Sequence, residues 1–259
     1  MKNELEKIKH KYLKPNNYYG YYSKIIAKKL LKILNNAICC ERPDFYYIEN
    51  DTCYICEHFE FDASINKAKK GSMFKRAEHQ TRVKIKHEFE EKMTNNPPSE
   101  TEISNYGAIS KGIYYKQDKN SWKSNFISAF DNHYLKIEDY RNNLISKKII
   151  NDKTIIKYIF IIEDTTIFGA FKNIKMDKIC YPFDFSFGID VLQKAKRVNY
   201  FIFLNESQEE LFFVNRSSFN KMKKYVLNFE KTKMCFSNDV KLVSAKITVP
   251  DSIFEKTVK

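Results

Sequence analysis

Apolar and polar residues alternate along this chain with two different spacings, which predict where helices and strands lie. Over residues 21–36 apolar side chains recur at helical spacing with lysines between them, so this segment predicts an amphipathic packing helix. Residues 41–62 are rich in aromatic and β-branched side chains on either side of Asn50-Asp51, a dipeptide typical of two-residue turns. They predict a β-hairpin.

Helical spacing returns twice after the hairpin. Residues Phe74–Met93 predict a strongly basic helix, and a later apolar stripe predicts a second helix. The stripe consists of Trp122, Phe126, Phe130, Tyr134, Ile137, Tyr140 and Leu144. Between the two helices, residues 94–121 contain two prolines and show no clear period, which predicts a long loop or insertion.

The second half of the chain contains segments with strand character. Thr154–Ile162 is almost continuously apolar and β-branched, which predicts a central strand buried on both faces, and residues 165–171 predict an antiparallel partner. Further predictions are a helix over 184–197, strands over 198–204 and 210–215, a basic helix over 217–232 and a last strand over 241–249. This order of elements predicts one α/β domain over residues 1–259, with a mixed central β-sheet flanked by helices.

Charge adds a class of partner to this picture. The 259 residues include 45 Lys and Arg against 32 Asp and Glu, a net charge of +13. This excess favours a polyanion, and nucleic acid is the commonest one. No apolar stretch is long enough to span a membrane, and the charged N-terminus has no signal-peptide pattern, so we expect a cytoplasmic protein with reduced cysteines.

The predicted hairpin places two carboxylates side by side. With Asn50-Asp51 as the turn, residues whose numbers add up to 101 face each other, so Asp44 lies opposite Glu57. The Cβ atoms of such neighbours are about 4.5–5.5 Å apart. Two acids this close repel each other unless a cation lies between them, and Mg²⁺ or Mn²⁺ is the usual occupant of an all-oxygen site. The carbonyl of His58 offers a further ligand.

Pro43-Asp44 and Glu57 resemble the PD-(D/E)XK nuclease superfamily. In that superfamily Pro-Asp opens one strand, and an acid on the adjoining strand completes a Mg²⁺ site that cleaves phosphodiesters. The resemblance implies a restriction-endonuclease-like core and a metal-dependent endonuclease, with DNA the favoured substrate and defence against foreign DNA a common use. The lysine that the pattern expects two residues after the acid is Phe59 in this chain.

A basic residue from elsewhere must replace that lysine if the chain is an enzyme. In this superfamily the lysine is known to move to other elements, and Lys75, at the start of the basic helix, is our first choice. Lys70 and Arg42 are the alternatives, although an arginine stays protonated and cannot act as a base. The predicted phosphate contacts of the same region are Lys70, Lys75, Arg76, Arg82 and Lys84.

Two alternatives stay open at this stage. Loss of the lysine fits a catalytically inactive nuclease-fold module that binds nucleic acid or a protein partner, and a homodimer is also compatible with the sequence.

Other possible metal ligands are weaker candidates. They are Glu41, Glu163 and Asp164, which could serve a second metal, although acids at such positions more often lie at the surface or in turns. The Cys53-x-x-Cys56-x-His58 spacing does not favour zinc, because the two cysteines would point to opposite faces of a strand.

Overall fold

The computed structural model describes residues 18–21, 24–63, 118–166, 171–175, 178–205 and 211–236, together with single positions at 5, 6, 8, 88, 91, 99 and 101. This part of the chain is α/β, as predicted, with a mixed sheet and flanking helices. The helices are α1 (Lys24–Asn35), α2 (Lys119–Tyr134), α3 (Ile137–Ser146), α4 (Ser186–Lys194) and α5 (Phe219–Met222). Short 3₁₀ turns cover Pro182–Asp184, Arg216–Ser218 and Lys223–Tyr225.

The strands form two sheets. They are β1 (Tyr18–Tyr21), β2 (Ile38–Cys39), β3 (Phe45–Glu49), β4 (Thr52–Phe61), β5 (Ile155–Asp164), β6 (Phe171–Asn173), β7 (Lys178–Ile179), β8 (Val198–Asn205), β9 (Leu211–Asn215) and β10 (Met234–Phe236). The seven-stranded sheet has the order β1-β9-β8-β5-β4-β3-β2, and the small sheet has the order β10-β6-β7. In the large sheet β4, β5 and β8 run parallel, β1 runs parallel to β9, and the other pairs are antiparallel.

The hairpin of β3 and β4 has the predicted register. Phe45 pairs with Cys56 and Glu49 with Thr52, and each pair adds up to 101. Asn50 has φ 52°, the left-handed conformation that a tight two-residue turn requires. The turn residues therefore set the alignment of the two strands, as the sequence predicted.

Strand β5 is the predicted central strand. It lies between β4 and β8 and is parallel to both, so both of its hydrogen-bonding edges are occupied. The expectation of an antiparallel partner over residues 165–171 is therefore wrong, and β6 pairs in the small sheet instead. Glu163 and Asp164 do not open a turn, because they are the buried last residues of β5.

A separate hydrophobic core lies on each face of the large sheet. The larger core contains buried residues of α2, α3 and α4, and the smaller one contains buried residues of α1. On β4, Cys53 and Phe59 belong to the larger core, whereas Tyr54 and Cys56 belong to the smaller one. Because alternate residues of a strand point to opposite faces, the two cysteines are kept apart, as expected.

The predicted helix with a stripe from Trp122 to Leu144 is in fact two helices. Helix α2 ends at Tyr134 and α3 begins at Ile137, with Leu135 exposed between them. Helix α2 begins at Lys119, inside the predicted loop, because the Asp118 carboxylate caps it by accepting hydrogen bonds from the next backbone amides. The stripe itself is core, as predicted, since its members from both helices are buried or pack against the larger core.

The predicted basic helix over 217–232 is mostly wrong. Only Phe219–Met222 is α-helical, and the chain beyond it forms a bridge in which the amide of Leu227 donates to the carbonyl of Asp184. This long-range pairing outweighs the local helical pattern. The predicted helix over 74–93 lies outside the described residues except at positions 88 and 91, which are helical. The predicted strand over 241–249 and most of the predicted loop also lie outside them.

Helix α4 packs closely against the 3₁₀ turn that precedes it. At Gly188 an added Cβ atom would lie 2.1 Å from the carbonyl oxygen of Pro182. That separation is far below a van der Waals contact, and the obstructing atom belongs to the backbone. Only glycine fits at this position.

Candidate functional site

The acid pair lies at the open end of the hairpin. Asp44 immediately precedes β3, and since Phe45 faces Cys56, the register leads from Asp44 to Glu57. The Oδ2 atom of Asp44 accepts a hydrogen bond of 2.8 Å from the backbone amide of His58. This bond ties the half-buried Asp44 carboxylate to the strand that carries Glu57.

Glu57 is a buried acid held by two side chains from the helices that cover this face of the sheet, one from α2 and one from α3. Its side chain is 9% exposed, and its Oε1 accepts a 2.7 Å hydrogen bond from the hydroxyl of Tyr140. The Nδ1 atom of His133 lies 2.8 Å from the same oxygen. A buried carboxylate needs such partners. Among the described residues neither donor engages Oε2, which leaves that oxygen for another ligand.

Both acids act electrostatically on the Tyr140 hydroxyl. Burial raises the pKa of Tyr140, and the negative charges of Glu57 and Asp44 raise it further, whereas the charge of Arg42 lowers it. Tyr140 therefore remains a protonated donor to Glu57. Arg42, two residues before Asp44 in the chain, is itself exposed.

Phe59 occupies the position at which the sequence pattern expects a lysine. Its ring stacks on the imidazole of His133, with ring centroids 4.6 Å apart and planes inclined by 13°. Phe59 belongs to the larger core, whereas 27% of the His133 side chain is exposed. Phe59 thus positions a partly exposed imidazole beside Glu57.

Sequence reasoning missed His133 and assigned Tyr140 only to the core. The two residues are seven positions apart, which puts them on one side of the helical layer although a break separates α2 from α3. That spacing was the available signal. It did not show that both residues contact β4, because Glu57 is more than 70 positions away in sequence.

A second polar cluster lies on the other face of β4. It consists of His58, Glu60 and Glu163, each of which offers one ligand atom, and these atoms all lie within 4.8 Å of one another. The His58 Nε2 is 3.1 Å from Glu163 Oε2, and the two side chains are only 6% and 1% exposed, whereas Glu60 is exposed. The group could hold a metal ion. From the sequence, the His58 carbonyl was expected to be a ligand, and a zinc site of the His58 imidazole with Cys53 and Cys56 was not favoured. Glu60 was not considered.

Asp164 is a structural acid at the end of β5. Its Oδ2 accepts hydrogen bonds from Trp122 Nε1 at 2.9 Å and from Asn205 Nδ2 at 3.3 Å. Its Oδ1 accepts from the amide of Thr166 at 3.0 Å and from the hydroxyl of the same residue. Burial raises the pKa of Asp164 to about 6, against the opposing effect of the Thr166 and Trp122 hydrogen bonds. These contacts join β5 to α2 and β8.

The predicted phosphate contacts lie outside the described residues. They are Lys70, Lys75, Arg76, Arg82 and Lys84. Glu41 is exposed, next to Arg42.

Comparisons with known proteins identify no relative of this chain. No family model matches the chain, and searches of curated proteins and of solved structures give no significant match. None of the described helices is long and apolar enough to cross a membrane.

Proposed function

We propose that the chain is a metal-dependent nuclease that hydrolyses phosphodiester bonds in nucleic acid, with DNA the favoured substrate. One observation carries the proposal: the hairpin register directs Asp44 toward Glu57, and the His58 amide holds the Asp44 carboxylate at 2.8 Å. The resemblance to PD-(D/E)XK nucleases and the net charge of +13 support it. Defence against foreign DNA is the biological setting that the resemblance implies.

The acid pair fits a hard divalent cation. Asp44, Glu57 through Oε2, and the carbonyl of His58 would supply only oxygen ligands, which Mg²⁺ and Mn²⁺ prefer. The Glu57 carboxylate is already oriented by its contacts to Tyr140 and His133. A bound cation of this kind lowers the pKa of a water ligand and offsets charge on the phosphate.

We infer that His133 takes the role of the missing lysine. When its Nδ1–H donates to the Glu57 carboxylate, the neutral imidazole presents an unprotonated Nε2. This nitrogen would accept a proton from the attacking water as the water oxygen bonds to phosphorus and the phosphorus–oxygen bond of the leaving group breaks. Lys75 remains the alternative for this role.

A cleavage assay tests the proposal. The purified chain is incubated with supercoiled plasmid, linear duplex, single-stranded DNA and RNA in Mg²⁺, Mn²⁺ or EDTA. We expect cleavage of DNA with either cation, none in EDTA, and none by Asp44→Ala or Glu57→Gln. Glu230→Gln, which alters an exposed acid elsewhere, serves as control. Cleavage that persists in both site variants would exclude the acid pair.

The competing function is a catalytically inactive module of the same fold. Phe59 at the lysine position favours it, because an aromatic ring supplies neither a charge nor a proton. Salt-sensitive binding of DNA or RNA without cleavage under any metal condition would support this second function. If the chain neither binds nor cleaves nucleic acid, its partner should instead be sought among proteins.

A further inference from the structure

The cluster on the other face of β4 arises from the central strands of the sheet. His58 and Glu60 are two positions apart on β4, so their side chains share one face. Glu60 is paired with Glu163 in the parallel register of β4 and β5. Three side chains able to bind a metal therefore project from adjacent positions of a rigid backbone.

The spacing of these groups suits a single ion. Ligands such as imidazole nitrogen and carboxylate oxygen bind zinc at about 2.0–2.2 Å, so two of them on one ion are at most about 4.4 Å apart. The His58 Nε2 and Glu163 Oε2 atoms, 3.1 Å apart, already satisfy that limit. All ligand atoms lie within 4.8 Å of one another, and a small rotation of the exposed Glu60 side chain would complete the set.

We propose that His58, Glu60 and Glu163 form a binding site for a first-row transition metal ion, with Zn²⁺ the first choice. An imidazole combined with two carboxylates suits Zn²⁺ better than Mg²⁺, which prefers oxygen ligands alone. Two carboxylates also match the charge of a divalent ion. Three protein ligands leave a coordination position for water or an anionic group.

This site differs from the proposed nuclease site. Glu57 contacts residues of α2 and α3 on one side of the sheet, whereas the side chains of His58 and Glu60 extend from the other side. His58 links the two sites, because its backbone amide in β4 donates a hydrogen bond to Asp44 while its side chain belongs to the cluster on the other face. An ion bound to the His58 imidazole would stiffen the same segment that holds the acid pair.

Metal titration of the full-length chain tests the site, in an Asp44→Ala background that disables the acid pair. Metal-free protein is titrated with Zn²⁺ by calorimetry and with Co²⁺ by visible absorption, and bound zinc is counted by mass spectrometry after dialysis. We expect one ion per chain. Glu60→Gln and Glu163→Gln should each weaken binding by roughly tenfold or more, on the scale of changes around metal sites. Glu230→Gln should leave binding unchanged.

Several results would overturn the proposal. One is the absence of stoichiometric binding, and another is an affinity that neither glutamine variant alters. A thiolate charge-transfer band with Co²⁺ would assign the ion to cysteines such as Cys39 and Cys40, which are free and partly exposed. If Glu163→Gln fails to fold, Glu60→Gln decides, because Glu60 is exposed. Cleavage does not enter these readouts, so this proposal and the nuclease proposal fail independently.

Discussion

Replacing Tyr140 with phenylalanine tests whether the helical layer holds Glu57 by a charged hydrogen bond. The substitution removes the hydroxyl that donates to Glu57 Oε1 at 2.7 Å and keeps the ring in the larger core. A hydrogen bond to a charged group contributes about 1.5–3 kcal/mol to stability. Because His133 still contacts the same oxygen, the carboxylate is not left without a donor. We therefore expect a loss of about 2 kcal/mol.

Urea denaturation followed by circular dichroism measures this loss. A decrease of about 2 kcal/mol corresponds to a fall in Tm of about 4–8 °C for a chain of this size. Tyr134→Phe is a matched control from the neighbouring helix, because among the described residues the Tyr134 hydroxyl donates only to the Lys194 carbonyl, at 3.3 Å. That variant should lose about 0.5 kcal/mol, within the range for a neutral hydrogen bond.

A second background isolates the contribution of charge. In Glu57→Gln the acceptor is neutral, and a hydrogen bond to a neutral group is about half as strong. The Tyr140→Phe penalty should therefore fall to about 1 kcal/mol in that background, a coupling that a double-mutant cycle measures. Equal penalties in the two backgrounds, or a wild-type penalty no larger than that of Tyr134→Phe, would refute this account of the site.

The remaining predictions concern a candidate base, a glycine and a buried thiol. His133→Gln should lower kcat for DNA cleavage by about 10²–10⁴ with little change in KM, and added imidazole should restore part of the rate; an unchanged kcat would exclude His133 as the base. Gly188→Ala should lower the free energy of unfolding in urea by about 3 kcal/mol or more, because the alanine Cβ would collide with the carbonyl oxygen of Pro182. A loss below about 1 kcal/mol would show that α4 can shift. Burial raises the pKa of the Cys53 thiol to about 12, so Cys53 should resist iodoacetamide in the native chain, whereas mass spectrometry should find Cys39 labelled. Labelling of Cys53 in the native chain would contradict its burial.

The parts of the fold that the sequence predicted correctly depend on short-range rules. Asn50-Asp51 is a two-residue turn, and turn length determines which residues of β3 and β4 face each other. The continuous apolar run in β5 similarly predicted burial on both faces, because a strand covered on both sides has no polar alternation. In both cases the information lies within a few neighbouring residues.

The features that were missed depend on contacts between distant segments. The apolar stripe keeps its phase from α2 into α3, so spacing gave no sign of the break at Leu135. Alternation along β4 places His58 and Glu60 on one face, but only the parallel register with β5 adds Glu163 to them. The contact of His133 with Glu57 likewise depends on how α2 lies over the sheet. Periodicity does not contain that information.

The Asn50-Asp51 turn has a consequence for how this protein can change in evolution. Because β4 is held in place by β5, a one-residue insertion or deletion that slips β3 along β4 would bring Asp44 opposite His58 or Cys56. The carboxylate would then project from the wrong face, although no residue of the acid pair had been altered. Because Asn50 has a positive φ, natural selection should keep residues such as Asn, Asp or Gly at that position and should tolerate few changes in the length of the turn.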